Sequence, residues 1–157
     1  MKREEALLLG PFSVDPEGRL SPARPDLSPG FSIRWRGRTI HARLSQDLSL
    51  DGRLHIHSTL GRIPSTASDP ALRGACLVAL RGLLTVLPAA WTVRLLPDHR
   101  PQMETEMMIT LPITATCLVT ELTAFLLELT PYLDIMDEAG VQPCHASAIS
   151  LAGTRCP

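Results

Sequence analysis

The chain of 157 residues carries a net charge of −1 and an apolar fraction of 45%, which fits a single folded domain. The apolar fraction excludes wholesale disorder, and the near-zero charge argues against a general attraction to nucleic acid or to anionic membranes. We find no secretory signal and no run of the ~18 uncharged apolar residues that a membrane helix needs. The four cysteines form no CxxC motif, so we expect a cytoplasmic protein without a metal or other cofactor.

The first thirty residues are interpreted as an arm that precedes the domain. Residues 1–10 are compatible with a short helical turn. Prolines are concentrated in residues 11–30, and proline both removes a backbone donor and fixes φ, so a central strand or a helix is not expected there. We predict an extended, irregular arm that lays Phe12, Val14 and Leu20 on the core.

Period-two alternation between residues 31 and 60 predicts three β-strands. Gly37 permits a tight turn after the first strand, and Asp51-Gly52 marks the turn before the third. The side chains expected on the inner face are Phe31, Ile33, Trp35, Ile40, Ala42, Leu44, Leu54, Ile56, Ser58 and Leu60. The opposite face is then polar and rich in arginine and histidine.

Two helices and two further strands follow. Asp69-Pro70 is a helix start, because aspartate caps free backbone donors and proline is tolerated in first position; this helix covers residues 70–87. Alternation then predicts a strand at 91–95 and another that ends at Pro112. An apolar stripe predicts a final helix over 114–138, capped by Thr114 or Thr116, which Pro131 either kinks or divides.

These elements predict an α+β fold, with one antiparallel sheet of about five strands packed against two main helices in the order β-β-β-α-β-β-α. The domain spans residues 31–140, after the proline-rich arm 1–30. Residues 141–157 lack periodicity and are expected to form a flexible tail. The second face of the sheet needs either polar residues or a partner.

Three histidines of the polar face are the candidate metal ligands. His55 and His57 lie on one face of one strand, and His41 lies on the facing strand. A two-histidine spacing alone is a weak motif, and surface histidines on a sheet are much commoner, so we interpret them as face residues. Asp98-His99-Arg100 invites an acid–base interpretation, but no nucleophile is identified near it, and we predict no enzymatic activity.

Arginines cluster on the first two strands and suggest a nucleic-acid patch, formed by Arg34, Arg36, Arg38 and Arg43. By alternation Trp35 faces away from Arg34 and Arg36, so it cannot stack bases beside them. An acidic peptide is therefore at least as good a partner for these side chains as nucleic acid.

One face of the helix 70–87 is unusual. Gly74 and Gly82 lie on it with Val78 between them, and each glycine costs ~1 kcal/mol of helix stability relative to alanine. Such a face is explained if the backbone of another element packs closely against it. The neighbour is either the chain's own sheet or the same helix of a second copy, in a symmetric dimer.

Five segments together resemble the type III secretion chaperone-like fold, which includes the Tir chaperone and bacterial sensory-regulator families. They are LHIHSTLGRIP at 54–64, the leucine-rich helix 70–87, WTVRLLP at 91–97, METEMMITLPI at 103–113 and the helix 114–138. The resemblance implies a chaperone-like homodimer in which the helix 70–87 forms the dimer contact.

We therefore expect a non-enzymatic, cytoplasmic homodimer that captures an extended segment of a partner protein along a sheet edge. Phe31, Ile33 and Trp35 would make apolar contacts, and Arg34 and Arg43 would bind acidic groups. One alternative is a small metal-dependent or acid–base enzyme that uses the histidines of the sheet face. Another is a structural subunit whose arm and tail wrap a neighbouring protein.

Overall fold

The computed structural model describes residues 7–24, 28–46 and 51–144. They form two antiparallel sheets and two helices, and the predicted α+β fold is confirmed. The elements are β1 Leu7–Leu9, β2 Phe12–Val14, β3 Leu20–Pro22, β4 Gly30–Trp35, β5 Arg38–Gln46, β6 Asp51–Thr59, α1 Pro70–Val86, β7 Trp91–Leu95, β8 Pro101–Thr110 and α2 Ala115–Glu138. The large sheet has the order β4-β5-β6-β8-β7, and the small sheet has the order β1-β2-β3.

The large sheet follows the alternation of the sequence. The β4–β5 hairpin closes through Arg36 and Gly37, whose positive φ angles of 48° and 75° are those that a tight two-residue hairpin turn requires. The predicted inner positions of β5 and β6 are buried. The turn predicted at Asp51-Gly52 is wrong, because both residues belong to β6 and pair with β8; the link at 47–50 lies outside the described residues.

Both helices begin at the predicted caps. The Asp69 carboxylate accepts the N–H of Leu72 at 2.8 Å, and the Thr114 hydroxyl accepts the N–H of Cys117 at 3.2 Å. The final helix is not divided, because α2 continues through Pro131, which is exposed to solvent.

The two helices cover one face of the large sheet, which we call the inner face. Trp91 on β7 lies 5.1 Å from Phe125 and 5.6 Å from Tyr132 on α2, measured between ring centroids. Cys76 on α1 donates its thiol to the carbonyl of Ala139 at 3.2 Å, which ties α1 to the end of α2. The other face, which we call the open face, carries exposed polar side chains.

Residues 7–9, 12–14 and 20–22 form the small sheet, so the predictions of an irregular arm and of a helical turn are wrong for these residues; residues 1–6 and 25–27 lie outside the described part of the chain. The prolines do not prevent the sheet, because Pro11 and Pro16 lie outside β2, the central strand, and Pro22 ends β3. The predicted burial of Phe12 and Leu20 is confirmed, and Val14 packs beside them.

The small sheet is joined to the start of α2. Leu20 donates its N–H to the carbonyl of Ile113 at 2.8 Å, and Ala115 donates to the carbonyl of Gly18 at 3.1 Å. Residues 7–24 therefore fold against the chain's own domain.

The tail prediction is wrong for its first residues. Val141 is 2% exposed, and Gln142 and Arg62 exchange two backbone hydrogen bonds of 2.8 and 3.2 Å. Residues 145–157 lie outside the described part of the chain.

Candidate functional site

Strand β4 forms one edge of the large sheet and, among the described residues, pairs with β5 alone. Leu44 donates its N–H to the carbonyl of Pro29 at 2.9 Å, so these two opposite residues are a hydrogen-bonded pair of the β4–β5 ladder. Because bonded and non-bonded pairs alternate in an antiparallel ladder, the backbone groups of every second residue point away from β5. These residues are Gly30, Ser32 and Arg34.

The three apolar side chains of β4 lie at the rim of the core and are half-buried. Phe31 meets Phe12 edge to face, with centroids 6.0 Å apart, and Trp35 donates its indole N–H to the Thr130 hydroxyl at 3.2 Å. Phe31 and Trp35 are thus anchored by the chain itself, and Ile33 lies between them. Their remaining exposed surface borders the free edge.

The four arginines of the suggested nucleic-acid patch are not equivalent. Arg38 is 2% exposed and bound within the domain, and Arg36 pairs with Asp134 on α2. The other two, Arg34 and Arg43, are exposed on the open face and form no ion pair with any described residue. The free positive charge of this region therefore lies beside the β4 edge.

Two acidic side chains of the open face, Glu104 and Glu106, lie on β8, two strands away from β5, and a third, Asp51, lies at the start of β6. Glu106 binds Arg53 at 3.0 Å, and Glu104 binds Arg94. The open face is therefore polarised, with unpaired arginines toward β4 and paired carboxylates on β8.

His41 and His57 are direct cross-strand neighbours on the open face, and their rings stack with centroids 4.8 Å apart and planes 19° apart. The Ser32 hydroxyl lies 2.9 Å from Nδ1 of His41. Partial burial lowers the pKa of His57 below its ordinary value of 6.5, and the nearby His41 lowers it further.

The third candidate ligand stands apart from this stack. His55 lies between β5 and β8 partners, with Nε2 3.1 Å from the Ser45 hydroxyl and Nδ1 3.3 Å from a carboxylate oxygen of Glu106. Within residues 7–24, 28–46 and 51–144, no three His, Cys, Asp or Glu side chains are grouped as a metal site requires.

The sequence did not reveal the Ser45–His55–Glu106 chain of contacts. Ser45 on β5 is a diagonal neighbour of His55 on β6. The residue directly opposite Ser45 in the β5–β6 ladder is Arg53. That placement depends on the strand register, which alternation alone does not give. Polar residues at every second position of β5 and β6 were the only available signal.

The unusual face of α1 is exposed. Val78 is 72% exposed, and a Cβ built on Gly74 or Gly82 meets no atom within 4 Å among the described residues. Packing of this face on the chain's own sheet, one of the two explanations of the glycines, is therefore wrong. The buried face of α1 carries Cys76, Leu80 and Leu83 instead.

Comparison of the chain with protein-family models, curated proteins and solved structures gave no significant match. The likeness to type III secretion chaperones stays a prediction from sequence. Neither α1 nor α2 combines the length and apolar character needed to cross a bilayer.

Proposed function

We propose that this chain is a homodimeric, chaperone-like protein-binding module that captures an extended segment of a partner protein. The observation that carries the proposal is the free edge of β4. There the backbone groups of Gly30, Ser32 and Arg34 have no strand partner among the described residues. An added strand would satisfy them, and its main-chain hydrogen bonds would supply affinity.

Side chains beside the edge favour a particular kind of segment. The alternate side chains of an added strand would lie over the inner face, next to half-buried Phe31, Ile33 and Trp35. The side chains between them would lie over the open face, near the unpaired Arg34 and Arg43. The best ligand is thus a strand in which apolar and acidic residues alternate.

A labelled synthetic peptide of about seven residues, alternating valine and glutamate, tests this proposal by fluorescence anisotropy. We expect saturable binding that Ser32→Pro abolishes, because the proline removes an outward N–H and leaves the β5 ladder intact. Arg34→Glu should weaken binding, and Arg94→Glu on β7, the opposite edge strand of the sheet, is the matched control. Equal binding of a valine–lysine peptide, or binding insensitive to Ser32→Pro, would overturn the proposal.

The dimer is proposed to form through α1. Gly74, Val78 and Gly82 leave an exposed strip of small residues, bordered by Arg81, on which a second α1 can approach closely. Gly82→Leu should give a folded monomer in light scattering, whereas Ala124→Leu on the exposed side of α2 should stay dimeric. A dimeric Gly82→Leu protein rules out this interface.

Ester hydrolysis is a second candidate function, favoured by the Ser45–His55–Glu106 contacts. The Ser45 hydroxyl lies 3.1 Å from Nε2 of His55 and also contacts the Arg53 carbonyl; in this function it would turn to give its proton to Nε2, and Glu106 would orient Nδ1. Ser45 Oγ would attack the acyl carbon, and the proton held by His55 would leave with the alcohol. Water, deprotonated by His55, would then release the acid and restore Ser45.

A fluorophosphonate probe that labels activated serines, followed by peptide mass spectrometry, tests the second candidate. Labelling should occur at Ser45 and be lost in His55→Gln. Ser32→Ala is the matched control, because Ser32 contacts His41 on the same face. Absence of label on Ser45 removes this function and leaves the peptide-binding proposal unaffected.

A further inference from the structure

Three segments that are distant in the sequence meet at one end of the domain and enclose a cleft of about 490 Å³. They are the loop 61–68 before α1, the turn 97–100 between β7 and β8, and the segment 141–143 after α2. The cleft is lined by Arg62, Ile63, Pro64, Ser65, Ser68, Asp98, His99 and Gln142. It therefore brings together the Leu-Gly-Arg-Ile-Pro loop and the Asp-His-Arg turn, two sequence features that peptide capture does not use.

Backbone hydrogen bonds hold the walls of this cleft. Arg62 and Gln142 exchange two of them, and Ile63 donates its N–H to the carbonyl of His99 at 2.9 Å. His99 has a φ of 65°, which is uncommon for a residue other than glycine. The walls are thus set in position by the fold itself.

His99 presents a hydrogen-bond donor to the cleft. Nη1 of Arg73 lies 3.5 Å from Nδ1 of His99 and also donates to the carbonyl of Pro64 at 2.9 Å. A guanidinium can only donate, so Nδ1 is the acceptor in this 3.5 Å contact, and a neutral His99 ring that accepts there carries its proton on Nε2. Arg73 therefore acts as a positioning residue for His99.

The lining of the cleft carries one arginine, Arg62, and one carboxylate, Asp98. Arg62 and the half-buried Arg73 form no ion pair with any described residue, whereas Asp98 is paired with Arg100. The Arg62 guanidinium is exposed and can bind an anion that enters the cleft, whereas the Asp98 charge is already balanced by Arg100. Arg62, the Nε2–H of His99 and the side-chain amide of Gln142 are three donor groups around one space.

We propose that this cleft binds a phosphoryl group, either as free phosphate or as the phosphate of a small monoester. A phosphate has enough oxygens to accept a hydrogen bond from each of the three donor groups, whereas a carboxylate has only two oxygens. The guanidinium of Arg62 supplies the charge and fork geometry that suit a phosphate. This site is separate from the β4 edge and does not depend on the proposed peptide binding.

Titration of the full chain with inorganic phosphate and with phenyl phosphate tests the site, by NMR of the backbone amides at constant ionic strength. We expect saturable shifts confined to residues 61–68, 97–100 and 141–143. Arg62→Ala should weaken binding about 10-fold or more, the loss typical of a charged hydrogen bond. His99→Asn should also weaken it, and asparagine tolerates the left-handed backbone.

Arg43→Ala is the matched control, because Arg43 is an exposed, unpaired arginine outside the cleft. Its affinity for phosphate should equal that of the unaltered chain. Tighter binding of phenyl phosphate than of inorganic phosphate would identify a monoester as ligand, and the reverse would identify the free anion. Equal shifts with acetate, equal losses in Arg43→Ala, or no saturation at millimolar phosphate would overturn the proposal.

Discussion

The buried guanidinium of Arg38 on β5 pairs with the carboxylate of Asp137 near the end of α2. The Arg38 side chain is 1% exposed, and its Nε donates to the carbonyl of Leu60 at 2.6 Å. A second donor reaches the carbonyl of Arg36 at 3.1 Å. One side chain thus joins the hairpin turn, the end of β6 and α2, so Arg38 is structural and unavailable to a nucleic-acid ligand.

Replacement of Arg38 by methionine should lower the free energy of unfolding by about 2–3 kcal/mol, because the buried carbonyl of Leu60 loses its donor. The loss stays below that of a fully buried pair, since Asp137 is 33% exposed and water can solvate it. Urea unfolding followed by circular dichroism measures the change. Arg43→Met, on the open face, should change stability by less than about 0.5 kcal/mol; equal losses in the two variants would contradict this role for Arg38.

The histidine stack predicts a pH dependence of stability. The pKa of His57 is lowered in the folded chain by partial burial, then by His41 and Arg43, while Glu104 opposes the shift. The unfolded chain therefore binds more protons, so stability should fall as the pH drops through about 6.5 toward the folded pKa of His57. Urea midpoints between about pH 8 and pH 5 measure this loss, which His57→Gln should reduce.

His41→Gln isolates the contribution of the stack. Without the neighbouring imidazolium, the pKa of His57 should rise toward its ordinary value, as followed by NMR of the ring protons. His55→Gln is the control, because His55 contributes nothing to the shift of His57. An unchanged His57 titration in His41→Gln would show that the two rings do not interact.

Thiol reactivity should separate the cysteines of the two helices. Cys76 on α1 is 0% exposed, and burial raises the pKa of its thiol, whereas Cys117 on α2 is exposed. The thiolate is the reactive form, so iodoacetamide should modify Cys117 in the folded chain and reach Cys76 only on unfolding. Peptide mass spectrometry with and without urea measures this order, and rapid labelling of Cys76 in the native chain would contradict the burial of α1.

The spacing of apolar residues and the residues that cap helices explain why most of the large sheet and both helices were predictable. Alternation locates the buried side of β5 and β6, and Asp69 and Thr114 mark the helix starts through local chemistry. The small sheet was missed because its strands have three residues each, too few to display a period. The prolines of residues 11–30 also led to the wrong prediction of an irregular arm, since Pro11 and Pro16 flank β2 and do not interrupt it.

The candidate sites depend on information that no local pattern contains. The free edge of β4 follows from the strand order, and the stack of His41 on His57 follows from the register. The cleft around His99 needs the contact of residues 61–63 with Val141 and Gln142, which were predicted to lie in a flexible tail. Sequence patterns therefore predicted the residue types of the sites better than their assembly.

Gly61 and Gly74 should respond oppositely to alanine. Gly61 has a φ of 149°, and an added Cβ would lie 2.6 Å from the carbonyl oxygen of Gln142 and from a methyl of Val141. Gly61→Ala should therefore cost about 2 kcal/mol or more, through backbone strain and overlap with the segment that closes the cleft.

Gly74→Ala is the matched variant, because an added Cβ there meets no described atom within 4 Å. At protein concentrations low enough for the monomer to dominate, it should raise the free energy of unfolding by about 1 kcal/mol through helix propensity. Urea unfolding of both variants at several concentrations measures the pair. A Gly74→Ala monomer less stable than the unaltered chain would mean that this face of α1 is already covered in the monomer.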